Sequence, residues 1–336
     1  MNLVILLIAF SLSHTVALAG PVLVYNIAQL LSYSILVSPI RNYVSLEEDG
    51  NRISYFLVEK GDGTYEVEDL TSAPIQSRAT ERDVKYYLYT KSNKENGTII
   101  TNIFTNLTSS SFDPNKEVVV AIHGWKNDFS SPINAHIKDA ILDKFDLNFI
   151  VVDWSSIAGR NYVTAKNAVL QIGRYIGTFI ASLASTYGIP LSNISLIGHS
   201  LGAHAAGIAS SALNGSIDHI VGLDPASPLI SVSNKDYCLD ASDAKFVQVI
   251  HTNGGLLGLS TSLGHTDYFP NGGKRQPGCG LDITGSCAHA RSYEYYASSI
   301  HNNIFLSQEC SSYKDYTRGK CSGSFSLMGG YSIEKE

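Results

Sequence analysis

The sequence holds no cysteine before Cys238 and only five in all. None has the Cys-x-x-Cys or Cys/His spacing that holds zinc, which excludes a structural metal site of that kind. Charge is equally sparse: charged residues make up 16% of the 336, and no Lys/Arg block stands out. With a formal net charge of −6, this excludes nucleic acid as a natural partner. It also excludes simple electrostatic attraction to anionic lipid, so any membrane contact has to come from apolar surface. No internal repeat or low-complexity linker is found. What is present is 44% hydrophobic residues, a globular composition long enough for one large α/β domain with additions.

Residues 1–19 read as a secretory signal peptide. Leu3–Phe10 is almost wholly apolar, and Ala17-Leu18-Ala19 before Gly20 is an A-x-A cleavage site. The first residues lack Lys and Arg, so only the free amino terminus supplies positive charge there. A second apolar stretch, Val22–Ile40, contains Tyr25, Asn26, Gln29, Ser32, Tyr33 and Ser34, which is polar for a spanning helix. Residues 20–82 are therefore expected to form an N-terminal extension or propeptide, with an uncleaved anchor as the rival reading. Extracellular secretion fits four N-glycosylation sequons, at Asn96, Asn106, Asn193 and Asn214. It also fits the cysteines. Cys279 with Cys287, and Cys310 with Cys321, are close enough to staple short loops, which leaves the pairing of Cys238 open.

From residue 83 onward the pattern sharpens into one expected domain, 83–336. Lys85–Lys91 reads as a strand, followed by short apolar runs at Val118–Ile122, Phe149–Val152, Ile194–Ile197, Ile220–Leu223 and Phe246–Ile250. Several are apolar on both faces, as strands in a mainly parallel sheet have to be. Ala165–Tyr187 reads as a long helix with Val169, Ile172, Ile176, Phe179, Ile180 and Leu183 on one face, stopped by Gly188 and Pro190. Alternating strands and helices predict an α/β fold with helices on both faces of a central, mostly parallel sheet. After about residue 252 the chain reads as loop until Ala288.

The chemistry centres on Ile194-Ser195-Leu196-Ile197-Gly198-His199-Ser200-Leu201-Gly202-Ala203. An apolar strand runs into G-x-S-x-G and straight into a helix of small residues, the pattern of a nucleophile elbow. A serine hydroxyl needs an oriented base to become nucleophilic. Asp224 ends the next strand and is the expected acid. Among His251, His265, His289 and His301, the expected base is His289, on a loop just past Cys287, with His265 second. The developing oxyanion needs two N–H donors. Leu201, after the nucleophile, and Trp125, in the His123-Gly124-Trp125 loop after an earlier strand, are the candidates.

At this point the residues resemble the animal pancreatic-lipase family, in its insect phospholipase A1 and neutral lipase-like branch. The likeness rests on His123-Gly124-Trp125, Val152-Asp153-Trp154, Gly198–Gly202, Gly222–Ala226, Asp243–Val247, Val249–Thr252, Phe269–Gly273 and Cys287-Ala288-His289. The resemblance implies an α/β-hydrolase fold, a Ser200–Asp224–His289 triad and action on glycerolipid esters through an acyl-enzyme. It implies no cofactor. The family's β-sandwich domain for lipid and colipase-type docking is not expected after Glu336, so the expected enzyme is a monomer without such a partner. The family's long lid is replaced by Gly280–Ser286 between Cys279 and Cys287, a lid disulfide around seven residues too few for an amphipathic flap. An open site of that kind suits polar-headed substrate at a membrane or micelle surface. The implied activity is phospholipase A1, releasing the sn-1 acyl chain. A triacylglycerol or galactolipid lipase, and a non-catalytic lipid-binding or yolk-type storage protein, are the alternatives. The family's calcium loop maps to Lys235–Asp243, where Asp240 and Asp243 match but Lys235 and Cys238 do not, so no metal is expected.

Overall fold

A computed structural model describes residues 54–59, 64–74, 79–101, 104, 107, 109–302 and 304–331. The expected signal peptide and the Asn106 sequon lie outside the described residues. The chain divides into units of residues 1–55 and 56–336, and the candidate site lies in the second.

The central sheet is built from β3 (Lys85–Tyr89), β4 (Thr98–Ile100), β5 (Val118–Ile122), β6 (Asn148–Asp153), β7 (Ile194–His199), β8 (His219–Leu223), β9 (Phe246–Ile250) and β10 (Thr266–Tyr268). Their spatial order is β10-β9-β8-β7-β5-β6-β3-β4. The pairs from β10 through β6 are parallel, and β3 joins β6 and β4 antiparallel. Every residue of β5, β6, β7 and β8 is buried. That burial on both faces is why these strands read as unbroken apolar runs.

Helices α1 (Pro132–Lys144) and α4 (Ser286–His301) cover one face. Ile133, Ile137, Ala140 and Ile141 of α1 share a core with Tyr296, Ala297 and Ile300 of α4 and with Val119, Val151, Ile197 and Val221 of the strands. On the other face, α2 (Tyr162–Tyr187) packs on α3 (Leu201–Ser211), and α3 packs on β7 and β8. Phe179 of α2 stacks on Tyr86 of β3 with ring centroids 3.6 Å apart. This is the α/β-hydrolase arrangement.

Beyond one or two residues at strand ends, two elements differ from the sequence reading. Helix α2 starts at Tyr162 rather than Ala165, because the Asn161 side chain caps it by accepting from the Thr164 N–H at 3.1 Å. The stretch read as loop after residue 252 contains β10, only three residues long and too short for alternation to mark it. Away from the main sheet, β1 (Tyr55–Glu59) pairs with β2 (Tyr65–Asp69), and β11 (Leu306–Gln308) with β12 (Phe325–Leu327). Both expected disulfides, Cys279–Cys287 and Cys310–Cys321, are formed, and Cys238 is free and buried. Among the described residues no helix is long and apolar enough to cross a membrane.

Candidate active site

Parallel register sets the site. Ile122 of β5 pairs with Gly198 of β7, His199 with Leu223 of β8, and Leu223 with Ile250 of β9. The segments that follow these strands therefore emerge side by side at the carboxyl edge of the sheet, where open α/β sheets bind ligands. They are His123–Trp125, Ser200, Asp224 and His251–Asn253.

Ser200 sits between β7 and α3 with φ 57° and ψ −125°, a backbone conformation L-residues rarely adopt. Its N–H donates to the Leu223 carbonyl at 3.1 Å, which locks the strained turn to the neighbouring strand. The sharp turn works because Gly202 has no side chain. A Cβ there would lie 2.2 Å from the Ile122 carbonyl oxygen. Gly124 also approaches closely, since a Cβ there would lie 2.7 Å from the Ser200 Cβ. The loop carrying Trp125 is thus pressed directly against Ser200. Leu201 opens α3, where the first N–H groups of a helix have no intrahelical acceptor.

Asp224 is fully buried at φ 43°. Its Oδ1 accepts from the Thr252 N–H at 2.7 Å and the Asn253 N–H at 3.0 Å. Its Oδ2 accepts from His289 Nδ1 at 2.5 Å. With Nδ1 donating to the carboxylate, Nε2 of His289 carries the lone pair and can act as a base. His289 is therefore the histidine that meets the acid. It lies not on a loop, as expected, but in the first turn of α4. The reason is Asp282, whose Oδ2 accepts from the Ala288 N–H at 2.7 Å and so starts the helix inside the disulfide loop.

The competing histidines are engaged elsewhere. His265 Nδ1 accepts from the Val247 N–H at 3.0 Å, toward the amino end of β9. His301 is exposed at the end of α4. His251 is fully buried, with Nδ1 2.8 Å from the Leu259 carbonyl and Nε2 2.8 Å from Asp267 Oδ1. It immediately precedes the two N–H groups that hold Asp224. Burial and the neighbouring His289 keep His199 well below the usual histidine range, so it packs neutral with its ring centroid 4.4 Å from that of His289.

Sequence reasoning missed how the candidate oxyanion loop is aimed. The Trp154 N–H donates to His123 Nε2 at 3.2 Å, which leaves Nδ1–H to donate to the Gly124 carbonyl at 2.9 Å. That carbonyl belongs to the same peptide plane as the Trp125 N–H, so the ring fixes the direction of the candidate oxyanion donor. The indole of Trp125 is held in turn by its Nε1–H donating to the Arg160 carbonyl at 2.7 Å. The matched Val152-Asp153-Trp154 motif was the available signal, since nothing else in the sequence tied it to the His123 loop.

The Lys235–Asp243 loop does not fit a calcium ion. Asp240 Oδ1 accepts from the Ser242 N–H, Asp243 Oδ2 accepts from the Asp240 N–H, and Lys235 Nζ lies 3.7 Å from Asp240 Oδ2. Two carboxylates already hydrogen-bonded, one beside a lysine ammonium, are a poor start for six or more oxygen ligands. Among the described residues Cys279, Asp282 and Cys287 bring three donor atoms together, but the two sulfurs are joined to each other. Of the sequons, Asn96, Asn193 and Asn214 are exposed.

A family model described as Lipase matches residues 55–334. Pancreatic triacylglycerol lipase of Sus scrofa is 36% identical over 262 residues, 71% of this chain and 58% of that protein. The Homo sapiens protein of the same name is 36% identical over 276 residues, 74% of this chain and 59% of that protein. Pancreatic lipase-related protein 2 of Cavia porcellus is 37% identical over 262 residues, 74% of this chain and 59% of that protein. The match thus spans a little under three fifths of the length of these relatives. With the serine turn, the acid that meets His289 and the His123–Trp125 loop on neighbouring strand ends, and a family match over 55–334, this chain belongs to the lipase family.

Proposed function

We propose that this protein is a secreted hydrolase of glycerolipid carboxylic esters. Ser200 Oγ attacks the ester carbonyl, and His289 takes its proton and returns it to the leaving alcohol. Asp224 orients the imidazole and stabilises its cation, while the Trp125 and Leu201 N–H groups hold the oxyanion. Water then clears the acyl-enzyme by the same route. The observation that carries this reading is the buried Asp224–His289 pair at 2.5 Å, with a serine held at φ 57° at the end of the strand paired with the one that ends in Asp224. Strain of this kind clusters at active sites, where it holds a reacting group in place. Labelling by a serine-directed organophosphonate separates the enzyme from a non-catalytic lipid carrier. Folded wild type is expected to be labelled at Ser200, and absence of label would sink the enzyme.

Within that activity, phospholipase A1 is the proposed specificity. Its support is the Cys279–Cys287 loop, which closes eight residues apart in sequence and leaves no length for a covering flap. A polar head group then has open solvent beside the site. The triacylglycerol lipases among the relatives favour the second reading, triacylglycerol hydrolysis. Wild type and Ser200→Ala assayed side by side on phosphatidylcholine and long-chain triacylglycerol separate them. Release of sn-1 fatty acid from phosphatidylcholine, lost in Ser200→Ala, is the expected result. Hydrolysis confined to triacylglycerol contradicts the phospholipase assignment.

A further inference from the structure

We propose that Phe56, in the stretch before the expected domain, is a positioning residue for the Trp125 oxyanion donor, with Glu68 fastening the strand pair that carries it. The proposal rests on the reading of the site given above. Phe56 is only 4% exposed, although it lies outside the central sheet. Its ring stands edge-on to Trp125, with centroids 5.5 Å apart at 75°, and edge-on to Tyr162 at 5.5 Å and 88°. Trp125 and Tyr162 complete the triangle at 5.3 Å and 86°. Such edge-to-face triads fix ring orientation as well as burying area.

The Trp125 side chain is therefore gripped by the Arg160 carbonyl, by Tyr162 and by Phe56. The N–H to be aimed belongs to the same residue. His123 fixes the peptide plane from the Gly124 side, and the ring triad fixes it from the side-chain side. Phe56 supplies the third side of that triangle from outside the 83–336 stretch.

Glu68 explains why β1 and β2 stay there. It is 7% exposed, and its Oε1 accepts from the Tyr162 N–H, at the first residue of α2. A carboxylate at a helix N-terminus answers an orphan N–H and the positive end of the helix dipole together. Burial pushes the Glu68 carboxyl up, while the Tyr162 N–H and nearby Lys126 act against it. Two outer contacts reinforce the join. Lys126 Nζ lies 3.6 Å from Glu66 Oε1, and Asn161 Nδ2 donates to Ser72 Oγ at 3.4 Å.

The test uses the full chain and a soluble short-chain p-nitrophenyl ester, with acylation and turnover measured for wild type, Ser200→Ala, Phe56→Ala and Phe56→Leu. Loss of one oxyanion donor typically costs about 100-fold to 1,000-fold in kcat, so a misaimed one should cost about 10-fold to 100-fold. Phe56→Ala is expected to lower kcat by that much with KM within about twofold, because only the transition state feels the donor. Phe56→Leu keeps the bulk and should recover part of the rate; should Phe56→Ala fail to fold, a lowered kcat in Phe56→Leu carries the same meaning. A lowered melting temperature with kcat unchanged, or a raised KM with kcat unchanged, overturns the proposal. A wild-type rate lost in Ser200→Ala but kept in both Phe56 variants overturns the role of Phe56 alone. A wild-type rate that Ser200→Ala matches overturns the reading of the site, and this role with it.

Discussion

Asp224 has two carboxylate oxygens with separate duties. Oδ1 is pinned by the Thr252 and Asn253 N–H groups, and Oδ2 faces His289 Nδ1. In Asp224→Asn the two backbone donors will keep the amide oxygen, so the NH2 turns to the imidazole and forces the wrong tautomer. The expected result is a kcat lower by about 10,000-fold in a protein that still folds. Steady-state kinetics with a melting curve checks both halves, and a mild loss of activity contradicts the assigned acid. Two other buried groups contribute to the pH dependence of stability with opposite signs. Burial holds His204 down at about 4 from 6.5, and burial holds Asp243 up at about 7 from 3.8. Between about pH 4 and 6.5 the unfolded chain binds a proton at His204 that the folded chain refuses, so this contribution grows as pH rises. Over nearly the same window the folded chain keeps a proton on Asp243 that the unfolded chain releases, so that contribution shrinks as pH rises. The two slopes oppose. Asp243→Asn, which can still accept from the Asp240 N–H, removes this opposing contribution, and its stability should climb more steeply from pH 4 to 6.5 than wild type in urea unfolding. An unchanged slope would refute the opposition.

Among the elements, the inner strands were legible because burial on both faces writes itself locally. Val118–Ile122 is apolar at each position and is buried at each position. The elbow was legible for the same reason, since strand, turn and helix are contiguous in sequence. The start of α4 was not. His289 reads as loop because the helix is opened by Asp282, a residue inside a disulfide loop whose shape no local pattern announces. The role of β1 was illegible on other grounds. Phe56 meets its partners 69 and 106 residues downstream (125 − 56 and 162 − 56), and only the folded chain brings these rings together. The bond from Asp282 to the first turn of α4 yields its own prediction. Asp282→Ala removes the acceptor for the Ala288 N–H one residue before the candidate base. A side-chain acceptor for an orphan helix N–H is worth about 1 kcal/mol, so the melting temperature should fall by a few degrees. Because the frayed turn is the one holding His289, kcat should fall as well, and Asp282→Asn, which retains an acceptor, should restore much of both. Loss of stability with kcat intact would show that the first turn does not position His289.

For the molecule as a whole, the question is whether the site is ever covered. A lid that responds to a lipid surface hides apolar side chains when closed and shows them when open. The Cys279–Cys287 loop does not have that freedom. Its tip residue, Leu281, is already 91% exposed, and its ends are tied by the disulfide. Asp282 in the same loop is hydrogen-bonded to the helix turn that carries His289, so the loop cannot swing without displacing the candidate base. A flap that moves the base when it opens would switch the enzyme off where it is needed. The site should therefore work equally well on dispersed and aggregated substrate. Hydrolysis of a short-chain phosphatidylcholine, followed through its critical micelle concentration, is expected to saturate smoothly. A sharp rise at that concentration contradicts an open site. Leu281→Ser separates surface contact from gating. If the exposed leucine only touches lipid, the variant should lose apparent affinity for vesicles and keep its turnover on monomeric ester. If instead turnover on monomer changes, the loop takes part in the catalytic step, and the uncovered site has to be given up.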